Sequence, residues 1–87
     1  MAYTVEFTPH GSRDFRGLPR DVQGRMAPKI DALANNPFPA ASTKLVNTED
    51  EYRLRVGDYR VIYQVKQQRL LVLVVKIAHR REVYRNM

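Results

Sequence analysis

The sequence predicts an α+β fold in which two N-terminal helices pack on a mostly antiparallel sheet of about four strands. Apolar and polar residues alternate over residues 3–8 and again after position 51, which is the pattern of half-buried strands. Between these segments apolar residues recur at helical spacing. The pair Gly57-Asp58 separates two alternating runs, as the turn of a tight hairpin does.

The N-terminal part is predicted to hold one strand and two helices. The strand at residues 3–8 ends at Pro9, and residues 10–18 form a short helix. One apolar stripe defines the second helix and consists of Val22, Met26, Ile30 and Leu33. Pro28 within that helix predicts a kink, because its ring clashes with the carbonyl of Gly24, four residues earlier.

The C-terminal part is predicted to hold three strands, after a loop at residues 36–50. The strands cover residues 52–56, 59–66 and 70–77. Glycine at the first central position of Gly57-Asp58 suits a type II′ hairpin turn. The last strand is nearly all apolar, which indicates a central strand that is covered on most of both faces.

Length and composition set further limits. The 87 residues suffice for one domain, which we expect to span residues 1–87. The chain has no cysteine, no glycine-rich phosphate loop and no cluster of metal ligands, so we expect no disulfide, metal or cofactor. No signal peptide is visible, and the apolar run at residues 70–75 is far shorter than the roughly 20 residues of a membrane helix. These features predict a cytoplasmic protein that does not enter the membrane.

Three arginines form the most informative cluster. With a two-residue turn, Arg55 faces Arg60 across the ladder and Arg53 faces Ile62, so all three arginines share one face. Like charges directly opposite each other destabilise a ladder, whereas guanidinium groups bind phosphate bidentately. The cluster therefore indicates a phosphate-binding face, and the structural alternative is a solvated hairpin edge.

More basic residues follow in the last strand and after it, and the net charge of +6 favours an anionic partner such as a nucleic acid. Lys76 and Arg80 share a parity, so Arg80 can approach the hairpin arginines if the strand continues. His79 is a candidate proton donor, because histidine ordinarily titrates at a pKa near 6.5, or else a plain surface residue. Tyr84 can stack on a base or pack the C-terminus, and Arg81 extends the basic segment.

The segments EYRLRVGDYRVIYQV and LLVLVVKIAHRREVYR resemble RelE-type toxins of bacterial toxin–antitoxin systems. The resemblance implies a RelE-like fold and an endoribonuclease that cleaves messenger RNA in the ribosomal A site, by attack of a ribose 2′-OH on the adjacent phosphate. It implies that Arg60 and Arg80 stabilise the phosphate and that Tyr84 orients the nucleotide. It also implies a RelB-like antitoxin as partner, in a toxin–antitoxin hetero-oligomer.

The sequence departs from that family at Arg53 and Arg55, where the best-known members carry lysines. Arginine holds phosphate but does not give up its proton, so neither residue is a convincing general base. The acid–base work then falls to His79, Tyr84 or Glu51, with His79 favoured as the acid and the base left open. The residues expected to bind RNA phosphates are Arg53, Arg55, Lys76 and Arg81. The superfamily also includes ParE-type toxins, so the alternatives are a ParE-like inhibitor of DNA gyrase and a non-catalytic nucleic-acid-binding relative.

Overall fold

The computed structural model describes residues 2–79, which form a five-stranded sheet with two helices packed against it. The strands are β1 (Thr4–Phe7), β2 (Ser42–Lys44), β3 (Glu51–Val56), β4 (Tyr59–Lys66) and β5 (Leu71–His79), and the helices are α1 (Pro9–Arg16) and α2 (Arg20–Asp31). Across the sheet the order is β1-β5-β4-β3-β2, with β1 parallel to β5 and all other neighbours antiparallel. The predicted α+β class is confirmed, but the sheet has five strands where about four were predicted.

The additional strand, β2, lies in the segment 36–50 that was predicted to be a loop. Its residues pair antiparallel with Tyr52 to Leu54 of β3, and the Arg55 backbone N–H donates to the Ala41 carbonyl beside it at 3.3 Å. None of the three β2 residues is apolar, so no hydrophobic alternation marks the strand in the sequence. Pairing of its backbone groups with the edge of β3 is what makes it a strand.

The two helices begin and end for local reasons. Thr8 caps α1, because its Oγ1 accepts a hydrogen bond from the Gly11 N–H at 3.0 Å, and Pro9 follows at the first helical position. The helix α2 continues past Pro28 to Asp31 and passes into a short 3₁₀ turn. Together they bury the predicted stripe, whose members are at most 6% exposed and are Val22, Met26, Ile30 and Leu33.

This stripe packs on one face of the sheet, where the buried side chains are Leu54, Val61, Tyr63, Val65, Val72, Val74 and Ile77. Burying an aliphatic side chain of this size stabilises a fold by about 1.5–3 kcal/mol. Tyr63 is fully buried and donates its hydroxyl hydrogen to the Pro37 carbonyl at 2.8 Å, which ties the segment after α2 to the sheet. Burial raises the pKa of Tyr63, and a hydrogen bond with the Ser42 hydroxyl offsets part of the rise.

Neither α1 nor α2 has the length to cross a bilayer, and no helix within residues 2–79 combines the necessary length and apolarity.

Candidate nucleic-acid interface

The β3–β4 hairpin sets the geometry of the arginine cluster. Gly57 has a φ of 58°, whereas Asp58 is not among the residues with positive φ, which fits a type II′ turn. The observed pairs include Arg55 with Arg60 and Arg53 with Ile62, as predicted from the two-residue turn. The three arginines therefore alternate with the buried residues of the hairpin and share the face opposite the core.

Neighbouring strands extend this face on both sides. Thr43 of β2 lies beside Arg53, and Lys76 of β5 lies beside Ile62. Ala78 pairs with Arg60, so a side chain of small size stands next to that guanidinium. We call this surface the arginine face and define it by Arg53, Arg55, Arg60 and Lys76.

The four cations of the arginine face differ in exposure. Arg55 is exposed and Arg53 and Lys76 are half-buried, whereas Arg60 is 8% exposed. Its Nη1 donates to the Tyr59 carbonyl at 3.0 Å and approaches the Gly57 carbonyl at 3.4 Å. The hairpin turn thus holds the Arg60 guanidinium in place before any ligand binds.

Three cations of this face, Arg55, Arg60 and Lys76, form no ion pair with a carboxylate of residues 2–79. Within residues 2–79, the ion pairs are His10–Asp14, Asp21–Arg25 and Asp50–Lys66. None of these carboxylates pairs with Arg55, Arg60 or Lys76. A site with excess cationic charge at short range attracts an anion, and a guanidinium held in place binds it without a reorganisation cost.

His79 lies elsewhere. It pairs with Tyr59, a residue that faces the helices, and the two rings meet edge-on with centroids 5.4 Å apart. Together with Arg13, Asp14 and Leu18, these rings line a cleft of about 440 Å³ between α1 and the end of β5. The structure therefore brings Lys76 to the arginine face but places His79 on the opposite face of the sheet.

The other acid–base candidates and phosphate ligands have separate positions. Glu51 shares the parity of Arg53, but its Oε2 accepts a hydrogen bond from the Gln64 side chain at 3.2 Å. Arg80, Arg81 and Tyr84 lie outside the described residues. Within residues 2–79, no group of three His, Cys, Asp or Glu side chains is arranged to hold a metal ion.

Sequence reasoning missed Thr43 as a neighbour of the cluster. Its exposed side chain stands next to Arg53 at the edge of the sheet, where a hydroxyl can donate to a phosphate. The signal was absent because β2 is too short and polar to be recognised, and without β2 nothing assigns Thr43 to this face.

A family-wide pattern also matches the chain. The model of the family described as ParE toxin of type II toxin–antitoxin system, parDE, matches residues 5–84. The mRNA interferase toxin RelE of Escherichia coli is 31% identical over 88 residues, which cover 97% of this chain and 92% of that protein.

Solved structures show the same similarity in three dimensions. A chain of the RelE–RelB complex from Pyrococcus horikoshii has a TM-score of 0.81 and 32% identity, covering 92% of this chain and 97% of that one. The free state of an Escherichia coli RelE variant, with two arginines replaced by alanine, has a TM-score of 0.80 and 27% identity. That match covers 98% of this chain and 93% of the variant, so the similarity extends over nearly the whole length of both.

Proposed function

The chain belongs to the RelE/ParE superfamily of type II toxin–antitoxin toxins, as a RelE-type member, and on that basis we propose that it is a ribosome-dependent endoribonuclease that cleaves messenger RNA in the A site. One structural observation supports the endoribonuclease activity in addition to family membership. Arg55 and Arg60 face each other on a ladder with Arg53 and Lys76 beside them, a repulsive arrangement that an anionic substrate relieves.

The proposed reaction is an internal phosphoryl transfer. The ribose 2′-oxygen forms a bond to the adjacent phosphorus, and the bond from phosphorus to the 5′-oxygen breaks. A base takes the 2′-hydroxyl proton and an acid gives a proton to the leaving 5′-oxygen, so the products are a 2′,3′-cyclic phosphate and a 5′-hydroxyl end. Negative charge grows on the phosphate oxygens during this step, and fixed cationic donors lower its barrier.

Each residue of the site has a proposed role. Arg60, held by its own turn, stabilises the developing charge together with Arg80. Arg53, Arg55, Lys76 and Arg81 bind the RNA backbone, and Tyr84 orients the nucleotide. The role of Arg80 rests on the family resemblance, that of Tyr84 on the resemblance and on base stacking by aromatic side chains, and that of Arg81 on its place in the basic C-terminal segment. His79 is proposed as the acid, and because its ring lies on the helix face, it has to reach the 5′-oxygen past the end of β5.

The shortage of a base gives a specific expectation for Arg53. Replacing it with lysine supplies a group that can lose its proton when neighbouring cations lower its pKa. If removal of the 2′-hydroxyl proton limits the rate, kcat of Arg53→Lys rises with increasing pH as the lysine loses its proton. The pH–rate profile of the wild-type protein lacks this rise. An unchanged pH–rate profile means that the ribosome and positioning supply what the protein lacks.

The test is primer extension on messages translated by purified ribosomes with the toxin added. Arg60→Ala should lower the cleavage rate by about 10²–10³-fold, the usual cost of removing one donor to a developing oxyanion. Arg69→Ala, at an exposed 3₁₀ turn between β4 and β5, removes the same charge and should leave the rate unchanged. Equal losses in both variants would attribute the effect to net charge and reject the proposed role.

The same proposal includes a partner and a place of action. RelE chains occur in complexes with RelB antitoxins, including that from Pyrococcus horikoshii, and we propose a RelB-like antitoxin that binds this chain in a hetero-oligomer. Action on ribosomes places the toxin in the cytoplasm.

A ParE-like gyrase inhibitor is the second candidate, favoured by the family model that matches. Growth arrest with intact messages and damaged DNA would select it.

A further inference from the structure

The strand β5 contains a bulge that decides which side chains join the arginine face. Tyr63 pairs with Val74 and Ile62 pairs with Lys76, so Val75 has no partner on β4. One extra residue reverses the facing of every side chain that follows. Before the bulge Val74 lies in the core; after it Ile77 lies in the core and Lys76 faces the arginines.

The N-terminal end of α1 and its second turn hold this bulge from the side. The strand β1 ends just before Thr8, and there the Thr8 N–H donates to the Val74 carbonyl at 2.9 Å. The Thr8 hydroxyl lies 3.3 Å and 3.4 Å from the carbonyls of Val74 and Val75. Beyond the bulge, Asp14 Oδ2 accepts the Ile77 N–H at 3.0 Å. The edge of β5 that β1 no longer covers is therefore bound by α1.

A glycine lets α1 come this close. Gly11 is buried against the Val74 carbonyl oxygen, and a Cβ at this position would approach that oxygen more closely than real Cβ atoms do. Glycine lowers the stability of a helix interior, and here it permits the contact between helix and bulge. Gly11, Thr8 and Asp14 all lie at the start or in the first two turns of α1, on the side that meets β5.

We propose that Asp14 is a positioning residue for RNA cleavage: by binding the Ile77 N–H it fixes the bulge in β5 and thereby keeps Lys76 on the arginine face. The proposal rests on the endoribonuclease function proposed above. Asp14 does not touch the arginine face itself and acts through the register of β5. The carboxylate is also 3.3 Å from His10 Nε2, an exposed neighbour on the same helix that helps to hold it.

The test compares variants of the full-length toxin in the ribosome cleavage assay. Asp14→Ala removes the acceptor, Asp14→Asn keeps an acceptor oxygen without the charge, and Asp14→Glu moves the carboxylate by one methylene. Thr48→Ala is the control, because it removes another hydrogen bond between a side chain and the backbone: the Thr48 hydroxyl donates to the Leu45 carbonyl at 2.9 Å, within the loop between β2 and β3. Amide hydrogen exchange at Ile77 and the cross-strand proximity of Ile62 and Lys76 are followed by NMR.

Asp14→Ala should lower kcat/KM by about tenfold or more, since a small misplacement of a group that positions the substrate costs up to about 10²-fold. Exchange at Ile77 should accelerate, Asp14→Asn should recover most of kcat/KM, and Thr48→Ala should leave kcat/KM unchanged. Full kcat/KM in Asp14→Ala, or an equal loss in Thr48→Ala, overturns the proposal. If Asp14→Ala does not fold, Asp14→Glu decides, because full kcat/KM in that variant also overturns it.

The two proposals fail in different ways. If the wild-type protein cleaves no message on ribosomes, the endoribonuclease function is rejected. The role of Asp14 in fixing the bulge is then judged from Asp14→Ala by NMR alone: loss of the contact between Ile62 and Lys76 supports it, and an unchanged contact with slow Ile77 exchange overturns it.

Discussion

Replacing Arg55 with glutamine should make the protein more stable and should weaken the binding of RNA by the arginine face. Facing residues of an antiparallel ladder have Cβ atoms about 5 Å apart, and we take the two charges of Arg55 and Arg60 to be about 7 Å apart. Their repulsion is then about 0.6 kcal/mol in a water-like dielectric and about 2.4 kcal/mol at an effective dielectric constant of 20. Because Arg55 is exposed, the lower value applies, and we expect a gain of about 0.5 kcal/mol in the free energy of unfolding.

A gain of that size corresponds to a rise in Tm of about 2–4 °C for a domain of 60–100 residues. Thermal unfolding is measured at about 0.02 M and 1 M salt, because the Debye length falls to about 3 Å at 1 M and the repulsion is then screened. The control is Arg69→Gln, which removes one charge from the same net charge of +6 but has no arginine opposite it. Arg55→Gln should be the more stable of the two at low salt only.

Two results would refute this reasoning. If Arg55→Gln is no more stable than Arg69→Gln at low salt, the Arg55–Arg60 pair carries no net repulsion. If the gain persists at 1 M salt, its source is strand propensity and not charge. In either case, repulsion between Arg55 and Arg60 no longer supports the binding of an anionic substrate at the arginine face.

Two further perturbations test the packing that supports the site. Gly11→Ala should destabilise the protein by about 1–3 kcal/mol, because the added methyl group meets the carbonyl of Val74 in β5. In Gly24→Ala the added methyl group meets no atom within 4 Å, so this substitution should stabilise α2 by about 0.5–1 kcal/mol. Urea unfolding measures both changes in the free energy of unfolding. Tyr63→Phe should cost about 0.5–1.5 kcal/mol near neutral pH through the lost bond to Pro37. Because burial raises the folded-state pKa of Tyr63, its wild-type stability is intact below about pH 10 and falls as pH rises above it, and denaturant titrations should show this alkaline loss reduced in Tyr63→Phe.

The sequence allowed the parts of the fold that depend on local chemistry to be predicted. A glycine at the first central position of a two-residue turn fixed the hairpin register, and with it the pairing of Arg55 and Arg60. The helical stripe that begins at Val22 is buried as its spacing indicated. The strand β2 was not predictable in this way, because its three polar residues become a strand only by pairing with β3. The kink expected at Pro28 stays a prediction.

The candidate site was only partly predictable, because the first part of β5 has no polar residue to show which of its side chains face the core. Residues 71–75 are all apolar, so alternation cannot be read from them. The bulge is held by hydrogen bonds that join Thr8 and Asp14 to β5, across sequence separations of 63 to 67 residues. No local sequence pattern predicts contacts over such separations. The facing of both residues depends on this bulge: Lys76 joins the arginines, and His79, three residues later, lies on the opposite face.

One signal did exist in the sequence, and it favours the same bulge that Asp14 holds. Had β5 continued in the register of Tyr63 with Val74, Lys76 would lie opposite Val61, which is 0% exposed. An ammonium without a partner in the core costs several kcal/mol. Skipping one residue brings Ile77 into that position and moves Lys76 to the arginine face. The same step turns His79 toward Tyr59, so a lysine two residues after a core valine, followed by isoleucine, indicates both outcomes.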